Sequence, residues 1–168
     1  MFSYFIGIRI EESLEEKCEK WRRAFQAPST VAHITLIPPF IWEKDLHALI
    51  TLLTNTAESV NPFFIRGKGI GNFGKRTLFV NVELDPNLDA LQAGLAASLS
   101  AEGIPSERRR YKPHITLATR LDRRRFSAYK EKLSTFHPEY CFQCSKISLF
   151  QFKGHKWQEL EQILLGGA

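Results

Sequence analysis

The chain is 168 residues long, about one domain's length, and a chain of that size buries roughly two-thirds of its extended surface on folding. Hydrophobic residues make up 43% and charged residues 24%, which excludes a disordered tail, a collagen-like fibre and a disulfide-stapled miniprotein. The 23 Lys+Arg against 18 Asp+Glu leave a net charge of +5, a modest basic surplus that suits an anionic partner such as nucleic acid without requiring one.

No apolar run reaches the ~18 residues of a membrane span, so no membrane contact is expected. The opening Met1 to Arg9 lacks the basic start and long apolar core of a signal peptide and reads as a strand. Three cysteines, an odd number, predict reduced thiols and a cytoplasmic location.

Ser3 to Ile10, rich in aromatic and β-branched residues, is the first predicted strand. Glu11 to Phe25 places Leu14, Cys18, Trp21, Arg22 and Phe25 at helical steps, with Pro28 just beyond. Val31 to Ile37 is a second strand, halted by Pro38-Pro39. Asp45 to Val60 is helical, Phe63 to Arg66 is a strand, and Gly67 to Gly74 is a glycine-rich turn or bulge. The order then returns: strand Thr77 to Leu84, helix Leu88 to Ala101, strand Tyr111 to Ala118, helix Asp122 to Phe136, strand Tyr140 to Phe152. A short helix over Trp157 to Leu165 closes the list.

A doubled element order predicts two similar lobes related by an approximate two-fold. His33 precedes Phe73 by nearly the same span as His114 precedes Phe152, which pairs the two phenylalanines as counterparts. Each half also carries the same tetrapeptide, His33-Ile34-Thr35-Leu36 and His114-Ile115-Thr116-Leu117. In a strand, alternation sends His33 and Thr35 to one face and Ile34 and Leu36 to the core, and the second copy repeats this. A lone strand-end histidine is usually only hydrogen-bonded structure. Two placed across a two-fold line a cleft with two imidazoles and two hydroxyls.

That set suits in-line displacement at phosphorus. Histidine titrates near ~6.5, so one ring can take a proton from an attacking water while the other protonates the departing oxygen. Thr35 and Thr116 hydroxyls would bond the non-bridging oxygens. The scheme needs no metal and no cofactor.

The extended strings His33-Ile34-Thr35-Leu36-Ile37-Pro38-Pro39-Phe40 and Tyr111-Lys112-Pro113-His114-Ile115-Thr116-Leu117-Ala118 resemble the signatures of the 2H phosphoesterase superfamily. The likeness is to its bacterial RNA 2′,3′-cyclic phosphodiesterases, often called 2′-5′ RNA ligases. The resemblance implies an α+β fold, bilobal and duplicated, with two antiparallel sheets flanking a central cleft and helices outside. The chain is then a single domain of two pseudo-two-fold-related repeats, about 1–75 and 76–168. The implied activity is metal-independent opening of the 2′,3′-cyclic phosphate of RNA or a small nucleotide by a monomer. Alternatives are a 2′-5′ RNA ligase, a phosphodiesterase for another cyclic or 2′-5′-linked nucleotide, or a non-catalytic RNA-end-binding module. His33 takes the general-acid position and His114 the general-base position, with Thr35 and Thr116 binding substrate. Thr119 intervenes before Arg120 where many relatives carry Arg directly after the Ala, so a phosphate contact from Arg120 departs from the pattern.

Other residues are candidates on their own chemistry. Arg110, in the run Arg108–Arg110 before His114, and Arg120, after it and ahead of the run Arg123–Arg125, are candidate phosphate contacts, weighed against an ordinary solvated face. Tyr111, Phe73, Phe40 and Trp42 are candidate base-stacking contacts, each weighed against burial in the core, and Tyr111 and Phe73 are taken as the substrate contacts. Gly69 to Gly74 matches G-x-G-x-x-G, but a strand follows instead of a helix, so no phosphate cradle is predicted. Cys141 and Cys144 would point to opposite faces of a strand, and His47, His137 and His155 read as exposed, so no metal site is predicted.

Overall fold

The aromatic opening segment becomes a strand paired on both sides. In the computed structural model, which describes residues 2–27 and 30–167, it is β1 (Phe2–Arg9). Helix α1 (Glu12–Ala24) follows and turns Leu14, Cys18 and Arg22, four residues apart, toward the interior. Pro28, expected just past this helix, lies outside the described residues. The chain continues through β2 (His33–Trp42), α2 (Leu46–Glu58), β3 (Phe63–Lys68), β4 (Ile70–Phe73) and β5 (Thr77–Asn81). Helix α3 (Pro86–Ser100) starts where the Asp85 carboxylate accepts the Asn87 N–H at 2.7 Å and Pro86 sets the first turn. Then come β6 (His114–Ala118) and α4 (Arg123–Lys132), the latter capped by Asp122, which accepts the Arg125 N–H at 2.8 Å. Strands β7 (Glu139–Cys144), β8 (Lys146–Lys153) and β9 (Lys156–Leu164) follow, with a short 3-10 turn at Leu165–Gly167.

The strands form a mixed α+β fold with a seven-stranded antiparallel sheet, β4-β5-β6-β2-β1-β8-β9, and a two-stranded sheet, β3-β7. The large sheet has two wings, β4-β5-β6 and β2-β1-β8-β9, joined at β2–β6 through the pair Ile34–Ile115. Exchanging β1 with β5, β2 with β6 and β4 with β8 maps the first six strands onto themselves, and β9 extends one edge. The buried side chains of α2 and α3, including Leu49, Leu53, Leu91 and Leu95, pack with Ile6, Ile8, Ile34, Leu36, Ile115 and Leu117 of the strands in one core. Phe5, Phe79 and Phe150 are also buried but stand outside that core.

Four expectations change. Pro38-Pro39 does not halt β2: the register jumps from Tyr4–Phe40 to Ile6–Ile37, so both exposed prolines occupy a bulge opposite Phe5, where no ladder donor is needed. The segment from Tyr140 to Phe152 is two strands, β7 against β3 and β8 against β1, changing sheets at Ser145. The glycine-rich stretch holds the end of β3 and all of β4. The closing helix over Trp157 to Leu165 is strand β9: Gly154 and His155, at φ 59° and 73°, make a tight hairpin turn that pairs it with β8. Its Gln, Glu and Leu content favours a helix, and cross-strand pairing overrides that propensity.

Candidate active site

The two His-x-Thr segments meet at the seam. Both show the same alternation, with His33, Thr35, His114 and Thr116 partly exposed and Ile34, Leu36, Ile115 and Leu117 at most 1% exposed. Continuing the antiparallel register from Ile34–Ile115 sets His33 beside Thr116 and Thr35 beside His114 on one face.

The local structure fixes each ring in the same way. His33 Nδ1 lies 2.7 Å from the Val31 carbonyl, and His114 Nδ1 lies 2.8 Å from the Lys112 carbonyl. A carbonyl only accepts, so Nδ1 carries the proton in each neutral ring and Nε2 is the basic nitrogen. His33 Nε2 accepts from the Thr35 hydroxyl at 3.1 Å. Gly7 leaves the space for this arrangement: a Cβ there would sit 2.9 Å from the Ile34 carbonyl oxygen and 3.4 Å from the His33 ring.

Aromatic rings pack on both histidines. Phe5 lies 4.8 Å and Phe150 5.8 Å from His33, while Phe73 meets His114 edge-on at 4.8 Å and Phe79 lies 5.1 Å from it. Gly7 is opposite Thr35 and Ser148, as Phe79 is opposite Thr116 and Gly71. Two residues on, Phe150 is therefore the counterpart of Phe73. Spacing along the sequence pairs Phe73 with Phe152 instead, which the ladder corrects.

Burial sets the electrostatics. It is the main cause that lowers His33 to about 4; the Val31 carbonyl opposes it, and the positive charges of Arg22 and His114 add to it. His114 is also lowered by burial, against the Lys112 carbonyl. Both rings are neutral at neutral pH in the empty site.

Two side-chain donors hold the motif backbone. The Tyr111 hydroxyl donates to the Thr35 carbonyl at 2.7 Å, and Arg22 Nη1 donates to the Thr116 carbonyl at 2.6 Å. Arg22, only 4% exposed, also donates to the Thr30 carbonyl at 2.9 Å and lies 3.5 Å from Glu19, whose carboxylate accepts the Ala32 N–H. Each donor thus ties the element before one motif to the strand of the other motif or to its own approach loop. Arg22 was legible only as a cation on the apolar stripe of a helix, and its role was not.

The remaining candidates separate. Tyr111 packs its ring on the core and spends its hydroxyl on Thr35, while Phe73, 36% exposed, stays at the His114 edge. Arg110 is exposed and lines a hollow of about 340 Å³ with Phe73, Phe79, Tyr111 and Lys112. Arg120 is exposed on left-handed backbone at φ 57°, and its carbonyl accepts from Arg125, so its contacts lead to α4. Phe40 and Trp42 are core, Cys141 is exposed while Cys144 is buried, and His47, His137 and His155 are exposed. Among the described residues no group of three or more His, Cys, Asp or Glu is placed to hold a metal, and no helix is long and apolar enough to cross a membrane.

The architecture has solved relatives. A phosphoesterase structure superimposes with a TM-score of 0.71 at 18% identity over 98% of both chains. A protein of Thermus thermophilus does so at 0.70 and 23% identity over 99% of both. E. coli LigT, solved with 3′-AMP, does so at 0.70 and 18% identity over 98% of both. No match was found among curated protein sequences. The model of the 2′-5′ RNA ligase superfamily matches residues 10–156, a span that holds both His-x-Thr strands, and the chain therefore belongs to that superfamily of 2H phosphoesterases.

Proposed function

We propose that this protein is a metal-independent phosphodiesterase that opens 2′,3′-cyclic phosphates of RNA or small nucleotides. The chain acts as a single domain of two repeats, about 1–75 and 76–168, which the interchangeable strand order supports. The observation that carries the reading is the matched pair of imidazoles on one face of the seam, each with Nδ1 pinned to a carbonyl and Nε2 left basic.

In the reaction, His114 Nε2 takes a proton from water as the water oxygen attacks phosphorus. The bond from phosphorus to the 3′-oxygen breaks in line, and His33 delivers a proton to that oxygen, leaving a 2′-phosphate. Thr35 and Thr116 hydroxyls bond the non-bridging oxygens, where negative charge accumulates. His33 enters with its Nε2 accepting from Thr35. Once protonated, Nε2 becomes a donor, and the Thr35 hydroxyl is released to the phosphate. With a ribose 5′-hydroxyl in place of water as the nucleophile, the same two rings break the bond from phosphorus to the 3′-oxygen and form a 2′-5′ linkage, which is the ligation chemistry.

The test is a nucleoside 2′,3′-cyclic phosphate assayed with excess EDTA, the product identified as 2′- or 3′-phosphate. Turnover to the 2′-phosphate, abolished in folded His33→Ala and His114→Ala variants, is the expected result. Salt-sensitive binding of RNA ends with no product would make the protein a binding module instead.

A further inference from the structure

The β8–β9 hairpin carries features that neither the core nor the four motif side chains use. From His33 the aromatic contacts run outward: Phe5 at 4.8 Å, Trp157 edge-on to Phe5 at 4.9 Å, then Phe152 at 5.2 Å from Trp157. Burial falls along this path, from Phe5 at 3% exposed, through half-buried Trp157, to Phe152 at 43%. Phe152 and Trp157 are directly opposite across the hairpin, and the next pair is Lys153 opposite Lys156. His155 sits in the turn between them, and all three side chains are exposed.

Two like charges directly opposite on antiparallel strands destabilise the pairing, so the fold gains nothing from Lys153 facing Lys156. Neither lysine pairs with an acid among the described residues. Edge strands do use lysine to prevent sheet-to-sheet aggregation. That purpose does not account for an exposed Phe152 beside the lysines, which adds apolar surface to the same edge. Strand alternation turns the Phe152–Trp157 pair to the His33 side and the Lys153–Lys156 pair to the other side of the ribbon, so a single-stranded nucleic acid passing round the hairpin tip would stack a base on the rings and bring its backbone phosphates to the ammonium groups.

We infer that the β8–β9 hairpin is a strand-binding arm. Trp157 and Phe152 stack a base adjoining the reacting end of a single-stranded RNA on the His33 side, Lys153 and Lys156 hold its backbone phosphates where the strand passes round the tip, and the preferred substrate is an oligoribonucleotide end over a mononucleotide. The inference rests on the cyclic-phosphate reading of the site and extends it to a substrate class.

The experiment compares kcat/KM for a tetraribonucleotide ending in a 2′,3′-cyclic phosphate with that for the mononucleoside 2′,3′-cyclic phosphate. It uses the wild-type chain, Phe152→Ala and the exposed double variant Lys153→Gln/Lys156→Gln. A wild-type ratio well above one that falls about tenfold in each variant is expected, because removing the ring under a stacked base, or the cations beside a phosphate, costs affinity of that order. In the double variant the log–log salt slope for the tetranucleotide should also flatten by about 1.4, from two lysine–phosphate pairs at about 0.7 each on a single strand. A ratio the variants leave unchanged, or an equal fall on both substrates, overturns the inference. Fluorescence anisotropy of a labelled tetranucleotide bearing a 2′-phosphate needs no turnover and judges the arm even if the site proves inactive. Affinity weakened about tenfold in the double variant supports the arm, and unaltered affinity refutes it.

Discussion

Filling the site with phosphate should convert His33 from a ring that is neutral at pH 7 into one that carries a proton. Burial holds its imidazole at about 4 in the empty site. The surroundings that make a lone positive charge costly there also strengthen its attraction to an anion. A phosphate charge ~4 Å from Nε2, at an effective dielectric of about 20, contributes about 4 kcal/mol, or about three pKa units. That would bring His33 from about 4 to near neutrality, so under the proposed mechanism the substrate would load its own general acid. The assay is an NMR titration of the imidazole carbon-bound protons, empty and saturated with a nucleoside 2′-phosphate, using His114→Asn to assign the signals. Because kcat/KM reports the free protein, its pH profile should peak on the acid side of 6.5, with the profile of kcat displaced toward neutrality. A His33 that titrates near 6.5 in the empty protein, or one that saturating ligand leaves unmoved, would refute the reasoning.

Other outcomes follow from the same geometry. Arg22→Met should destabilise the fold by about 3 kcal/mol in urea unfolding, because it leaves the Thr116 and Thr30 carbonyls without their buried donor. It should also raise the His33 pKa, since the guanidinium charge holds it down. Tyr111→Phe removes a single hydrogen bond to the Thr35 carbonyl and should cost about 1 kcal/mol of stability, with a fall in kcat that a merely structural loss would not bring. Between pH 6.5 and about 4 the unfolded chain binds a proton at His33 that the folded chain refuses, so stability drops as pH falls through that window. The loss approaches about 3 kcal/mol below about 4, and His33→Phe should abolish that part of it in pH-dependent urea melts. Turnover of the cyclic phosphate should proceed undiminished in excess EDTA, and loss of activity reversed by added divalent metal would contradict the proposed proton chemistry.

The parts of this molecule that were legible in the sequence are those set by local pattern. The helices followed from apolar spacing, and the strand alternation alone gave the shared face of His33 with Thr35 and of His114 with Thr116. What escaped depends on partners remote in the chain. Trp157 to Leu164 has the composition of a helix and becomes a strand because β8 offers it a ladder. Pro38-Pro39 fits within β2 because β1 provides one residue opposite the pair, which no reading of the prolines alone reveals. The Arg22 guanidinium could be placed on a buried stripe, but its acceptor, the carbonyl of Thr116, belongs to a strand 94 residues away.

The interchange of β4 and β8 between the two wings has a consequence for how the chain must fold. Strand β1 takes one neighbour, β2, from nearby, and the other, β8, from beyond all of β2 to β7. During synthesis β1 therefore presents a bare edge until most of the polypeptide has left the ribosome. Closing so distant a pair carries an entropic cost that only the later contacts recover. Assembly of the His33 side should consequently be a late and slow event, whereas β4, β5 and β6, contributed by one continuous stretch, can come together early.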